Sequence, residues 1–300
     1  LRFALAALAL AAASASAPNL LRAQAWTERT AALAHELTHA PYECVASRLS
    51  REAEAGRALF RSPGLLGGPA ARLGLSCNAC HSNGRANAAF FLPELTNRVG
   101  AADVTSEWAS KVRGDGIMNP RPIPDLAGVG ERATHGRLND PSLEHFVQSV
   151  ITEEFQGQPP SPAAFSDLIA YLRALNARAC QPGETPITLS ETINDVRRAF
   201  DGAQHEDGAT ASALLLATQD AMGRLVERLP EPAFTRQRAA LEALSRELGA
   251  MRYGRDIAAA LQTGGLGWAA RFDAVTAELA RREQETYFDE SALRGALAKG

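Results

Sequence analysis

Three methionines, six histidines and four cysteines are all the sulfur and imidazole side chains that 300 residues contain. Any metal or cofactor chemistry must therefore draw on few groups. Basic charge is not in surplus either, since 31 Lys and Arg face 34 Asp and Glu for a net charge of −3. That balance excludes the electrostatic footprint of a nucleic-acid binder. The longest N-terminal apolar stretch, from Phe3 to about Ala15, falls short of the roughly 20 residues that a membrane-spanning helix needs. It follows Arg2 and precedes small residues in "LRFALAALALAAASASAP", the layout of a secretory signal peptide. Small-x-small cleavage positions end at Ala15, Ala17 and Ala25. Pro18 disfavours the second, and Ala25 is the expected one, giving a leader over residues 1–25 and a mature chain without a membrane span. Export places the protein in the bacterial periplasm.

What is present is "GLSCNACHSNGR", residues 74–85, with Cys77, Cys80 and His81 spaced C-x-x-C-H. Two thiols one helical turn apart can add across the two vinyl groups of one haem, and the adjacent histidine then ligates the iron. A thioredoxin-like dithiol should follow a strand in a βαβ pattern, which is missing here. A zinc site would need a further ligand pair. The expected cofactor is thus one covalent haem c, attached at Cys77 and Cys80 with His81 as proximal ligand. The other two cysteines, Cys44 and Cys180, flank this region. In an oxidising compartment they form a disulfide candidate, against the alternative of two separate buried thiols.

Helical patterns are expected over 27–40 and 46–61, followed by a Gly/Pro-rich loop up to Cys77. From about Asn83 to Asp140 the chain is irregular, because Pro120, Pro122, Pro124 and scattered glycines forbid a long helix. Such loops suit a segment that wraps a cofactor. "NDPSLEHFVQSVI" then reads as a helix with Asp140 as N-cap and Pro141 at its first position. "SPAAFSDLIAYLRAL" is a second amphipathic helix. "CQPGETP" breaks the pattern, and a domain boundary is placed near 183, separating a haem domain over 26–183 from residues 184–300. Beyond it, Thr188 and Glu191 can form a capping box. Leu241, Leu244, Leu248 and Met251 alternate steps of three and four, the seam of an antiparallel bundle. Pro230 with Pro232, and Gly264 with Gly265, are read as turns. A C-terminal bundle of four or five helices without catalytic features is expected.

The haem region resembles the c-type cytochromes beyond its motif. Gly56 and Phe60 in "GRALF" look like the Gly-x-x-x-Phe of that family's N-terminal helix, and Leu168 and Tyr171 in "DLIAYL" look like its C-terminal helix. The resemblance implies a mainly α-helical, class I cytochrome c-like domain in which these two helices cross closely, the glycine permitting the approach. A narrower resemblance, over about residues 52–176, is to the C-terminal haem domain of bacterial di-haem cytochrome c peroxidases of the methylamine-utilisation type. It rests on "IPDLAGV" (residues 123–129), His135-Gly136-Arg137 and "SLEHFV". Those enzymes need two C-x-x-C-H motifs, and this chain has one. Their sixth iron ligand, a Met or Tyr, aligns with Val150, which cannot bind iron.

The distal ligand is therefore open between His135 and Met118, or neither. Met222 and Met251 read as core, His145 as solvated, and His205 as part of a polar turn. A Met ligand raises the potential relative to a second imidazole, whereas an empty position admits peroxide or a diatomic gas. Glu153 and Glu154 are candidates for the distal acid–base group that peroxide cleavage requires, with a solvated pair as the plainer reading. "HELTHA", residues 35–40, matches the H-E-x-x-H of thermolysin-like zinc proteases through His35, Glu36 and His39. Pro41 and the short segment ahead of the motif argue against that fold, and helix-surface histidines are the plainer reading. A third ligand would have to come from a downstream helix, with Glu52 and Glu54 as candidates. The expected function is electron transfer with a periplasmic redox partner, either another cytochrome or a dehydrogenase or oxidase, and the bundle can serve docking or homo-oligomerisation. A peroxidase-like haem enzyme or a haem-based sensor is the alternative; catalytic residues for it are unknown.

Overall fold

A computed structural model describes residues 20–299 except Ser47 and Asp207. Most of the leader reading, residues 1–19, lies outside the described residues. The chain is mainly helical. After α1 (Leu33–Thr38) a short strand β1 (His39–Pro41) leads to α2 (Arg51–Phe60), α3 (Gly68–Leu73) and the single turn α4 (Cys77–Cys80). A long loop carries the two-residue strands β2 (Ala101–Ala102) and β3 (Arg121–Pro122), which pair antiparallel. It ends at α5 (Leu143–Ser149), a π-helical turn over Val150–Glu154, and α6 (Pro162–Ala174). Strand β4 (Glu184–Pro186) precedes α7 (Leu189–Gln204), α8 (Gly208–Val226), α9 (Thr235–Arg252), α10 (Ile257–Ala280) and α11 (Glu290–Leu297).

The helix expected over 27–40 is cut to Leu33–Thr38 because the backbone at both ends is used elsewhere. Thr27 bridges to Phe90, and β1 pairs antiparallel with β4, His39 opposite Pro186. Asp140 is not the N-cap of α5. Its backbone pairs with His135 while its carboxylate accepts from Ser142 N, and Ser142 caps the helix through His145 N. Cys44 and Cys180 form the expected disulfide, 136 positions apart.

Helices α2 and α6 cross with backbone nearly on backbone. A Cβ on Gly56 would stand 1.9 Å from Asp167 O, so only glycine permits this approach. Phe60 and Tyr171 meet beside the crossing at 5.2 Å between ring centroids. They share an apolar cluster with Leu168, Leu172 and Leu175.

Helices α7 to α10 form the bundle, with Leu241, Leu244 and Leu248 fully inside it and Met251 packed at its margin. Gly264 and Gly265 do not make a turn; they lie within α10. A Cβ on Gly265 would stand 2.8 Å from Nε2 of Gln204, the far end of a flexible side chain on α7. Glu191 leaves the capping box half made. Thr188 accepts from Glu191 N, but the Glu191 carboxylate is bound to Arg57 and Arg198.

The boundary near 183 does not separate two cores. Ala55, Leu59 and Ala164, from α2 and α6, belong to the same apolar cluster as Val196, Leu214 and Phe272. Nor does the folded body begin at Trp26. Leu21 is buried with Leu37 and Leu293, and Arg22 pairs with Glu227 at 3.2 Å.

Candidate functional site

Gly74 ends α3 in the left-handed region (φ 82°), and Ser76 then turns the chain into the single turn of α4. Cys77 and Cys80 stand at its two ends, and His81 follows it, His81 N donating to Cys77 O at 2.8 Å. Both thiols are unbonded, although the other two cysteines of the chain are joined. Cys80 sits among Phe90, Leu92, Leu95 and Ile123, and Cys77 touches this cluster and the one around Phe60 and Tyr171. Burial pushes the Cys77 thiol up to about 12 and raises that of Cys80 further, with Cys77 adding to it. Redox dithiols work through a lowered pKa, so this pair has the opposite character to a thioredoxin site.

The His81 ring is oriented by the proline-rich loop. Its Nδ1 lies 3.0 Å from Pro124 O. An N–H there assigns the other nitrogen, Nε2, as the lone-pair donor. The loop that supplies this carbonyl is held on both sides: Ile123 N donates to Gly100 O at 3.0 Å and Leu126 N to Gly84 O at 2.9 Å. The Asp125 carboxylate pairs with Arg85 and also accepts from Ala127 N at 2.8 Å. Arg132 reaches Asp125 O at 2.6 Å. Burial pulls the His81 pKa down to about 4 against the opposing Pro124 carbonyl and Asp125. The imidazole is therefore neutral at pH 7, as a metal ligand must be. Cys77, Cys80 and His81 together offer two protonated thiols and one aimed imidazole nitrogen beside an apolar lining, a set that could hold a haem.

The two distal candidates differ in setting. Met118 is 44% exposed, on a loop whose Asn119 N donates to Asp103 Oδ2. His135 is only 6% exposed, its backbone is paired both ways with Asp140, and its ring lies nearly parallel to Phe146. Its buried Nδ1 has no hydrogen-bond partner among the described residues. Val150 packs against the cluster that holds Cys80, and it opens the π-helical turn. Such turns gather at functional sites, and nothing in the periodicity announced this one. Glu153 and Glu154 are neither free nor simply solvated. Both bind Arg113, at 2.7 and 3.0 Å.

His145 and His205 are exposed, at Asp140 and the Asp201 carbonyl respectively. Met222 is core. Glu52 and Glu54 do not approach the H-E-x-x-H histidines as a third ligand. Glu54 pairs with Arg198 at 3.2 Å and Glu52 with Arg51, while the carboxylate beside His35 and His39 is Glu290, from the far end of the chain. Among the described residues, no helix is long and apolar enough to cross a membrane. No protein-family model, curated protein or solved structure matches the chain.

Proposed function

We propose that the chain is an exported monohaem c-type cytochrome that carries electrons, with Cys77 and Cys80 as the attachment thiols and His81 as proximal ligand. The observation that carries this reading is the hydrogen bond from His81 Nδ1 to Pro124 O, which leaves the opposite nitrogen to bind iron next to two unpaired thiols. A bound haem supplies a one-electron Fe(III)/Fe(II) couple. The residues of the chain orient the imidazole, keep it neutral, and exclude water with the lining of Phe90, Leu92 and Leu95. For the distal ligand, the burial and unpaired nitrogen of His135 support it over the exposed Met118. The pairing of both Glu153 and Glu154 with Arg113 supports electron transfer over peroxide chemistry, because an ion-paired carboxylate is a poorer proton shuttle.

The exported protein should keep its haem through a denaturing gel, and the Cys77→Ala/Cys80→Ala double variant should lose it. Its ferric spectrum should be low-spin and become high-spin in His135→Ala but not in Met118→Leu. Absence of covalent haem from the wild type would sink the whole reading. A high-spin wild type that takes up carbon monoxide readily would replace electron transfer by a peroxidase-like or sensory role.

Export carries a second expectation. Cleavage after Ala25 would remove the buried Leu21 and the Arg22–Glu227 pair, so processing after Ala15, which Pro18 does not disfavour, fits the fold better. The intact mass of the mature protein should place its N-terminus before residue 20; a mass beginning at Trp26 would overturn this.

A further inference from the structure

Two histidines four residues apart would normally face one side of a helix, but α1 ends at Thr38, and His39 opens β1. The turn brings the two imidazoles together instead, stacked with centroids 4.0 Å apart and planes 19° from parallel. The third group comes from α11. That helix docks Leu293 into the cluster of Leu21 and Leu37, which sets Glu290, in its first turn, against the rings. Arg294 occupies Glu290 Oε1. The other carboxylate oxygen, Oε2, lies 3.4 Å from His35 Nδ1 and 3.9 Å from His39 Nδ1.

We propose that His35, His39 and Glu290 form a binding site for a divalent transition-metal ion of the zinc class, oriented by Glu184. Two imidazole nitrogens and a carboxylate oxygen are the donor set such ions select over calcium or magnesium. The ligand atoms are close enough, and binding requires the stacked His35 and His39 rings to turn out of parallel so that both lone pairs meet one ion, His39 Nδ1 leaving Thr38 Oγ1 at 3.2 Å. Bonds of about 2.0–2.1 Å in a tetrahedral shell put ligand atoms about 3.3 Å apart, and the three ligand atoms already lie within 4.8 Å of one another. Glu184 completes the arrangement from behind. Its Oε2 is 2.9 Å from His35 Nε2, so it accepts that N–H and leaves Nδ1 as the donor to the metal. Histidine ligands are commonly fixed by a carboxylate in this way.

An ion held here would tie α1, β4 and α11 together. Those segments come from both ends of the chain and from the stretch just after Cys180. Hydrolysis is not part of the proposal, because His39 lies outside the helix that carries Glu36.

The test is calorimetric titration of the full-length, EDTA-treated protein with zinc chloride near neutral pH, with thermal melts alongside. The wild type should bind one ion per chain and melt at a higher temperature with zinc. His39→Ala and Glu290→Gln should each weaken binding by about 100-fold or more and lose the zinc-dependent rise in melting temperature. Glu184→Gln should weaken it by about 10- to 100-fold, the range for an orienting partner, and Glu52→Gln should change nothing. Circular dichroism of the metal-free variants separates lost binding from lost folding. No binding by the wild type, or equal binding by wild type, His39→Ala and Glu290→Gln, would overturn the site. Equal binding would also locate the ion elsewhere, for example at Cys77 and Cys80.

Discussion

Gly56→Ala should destabilise the protein by about 2 kcal/mol or more, even though alanine is the better helix former. The propensity gain is about 1 kcal/mol in a helix interior. Against it stands a methyl group placed 1.9 Å from Asp167 O, 2.5 Å from Asp167 C and 2.9 Å from Leu168 N. Overpacking typically costs about 1–3 kcal/mol, and sometimes more. The neighbours here are backbone atoms of α6, which cannot rotate aside as a side chain would. The two helices must separate, loosening Phe60, Leu168 and Tyr171 behind the Cys77 side of the site. Gly267→Ala is the matched control. It lies in the interior of α10, and a Cβ there meets nothing within 4 Å, so that substitution should stabilise by up to about 1 kcal/mol. Urea unfolding of the two variants reads both signs. A neutral Gly56→Ala would mean that α2 and α6 do not pack this closely.

The same crossing shows where sequence reasoning succeeds. Gly56 and Phe60 on one helix, and Leu168 and Tyr171 on the other, stand where the resemblance to c-type cytochromes implies a close crossing, and the structure brings these helices together. The mutual geometry of Cys77, Cys80 and His81 is set locally, since adjacent positions fix it within one turn. What could not be read are partners brought from far away by tertiary packing. The carbonyl that orients His81 belongs to Pro124, 43 positions on, and a backbone atom leaves no mark in residue type. Glu290 meets His35 across 255 positions only because Leu293 docks on Leu21 and Leu37. Gly264 and Gly265 mislead because a helix-breaking preference of about 1 kcal/mol per residue is outweighed by the packing of α10, whose Trp268 and Phe272 are buried in the bundle. The boundary near 183 reflects a real change of composition, yet the cores on its two sides merge through Ala55 and Leu59.

The charges between α2 and α7 carry the other large effect: Asp195→Ala should cost about 3–5 kcal/mol, the usual consequence of removing one partner from a buried ionic cluster. Arg57, Arg61, Arg198 and Arg224 here face Glu43, Glu54, Glu191 and Asp195, four charges of each sign. Asp195 is the hub. It lies 2.6 Å from Arg61, 2.9 Å from Arg198 and 3.5 Å from Arg57. Burial alone would raise its pKa, but Arg61, Arg57, Arg224 and Arg198 outweigh that and hold the carboxyl well below the usual range. Without it the guanidiniums repel one another across the junction of the two helical regions. The same depression sets a pH dependence. The folded state keeps Asp195 ionised where the unfolded chain would bind a proton, so its stabilisation is present above the ordinary carboxyl pKa of about 4 and fades as pH falls below it. Asp167 acts in the opposite sense. Burial, with Glu206 and Glu52 adding to it, lifts its pKa to about 6. Between about 4 and 6 the folded state therefore binds the extra proton, and stability falls as pH rises through that window. His81, pulled down to about 4, opposes Asp167 over the same window, so each substitution is read against the wild type. Asp167→Asn should steepen the gain in stability between about pH 4 and 6, the upper limb, and Asp195→Ala should flatten the lower limb. Urea midpoints from pH 3 to pH 8 check both limbs; a lower limb unchanged in Asp195→Ala would remove Asp195 from the hub of the network.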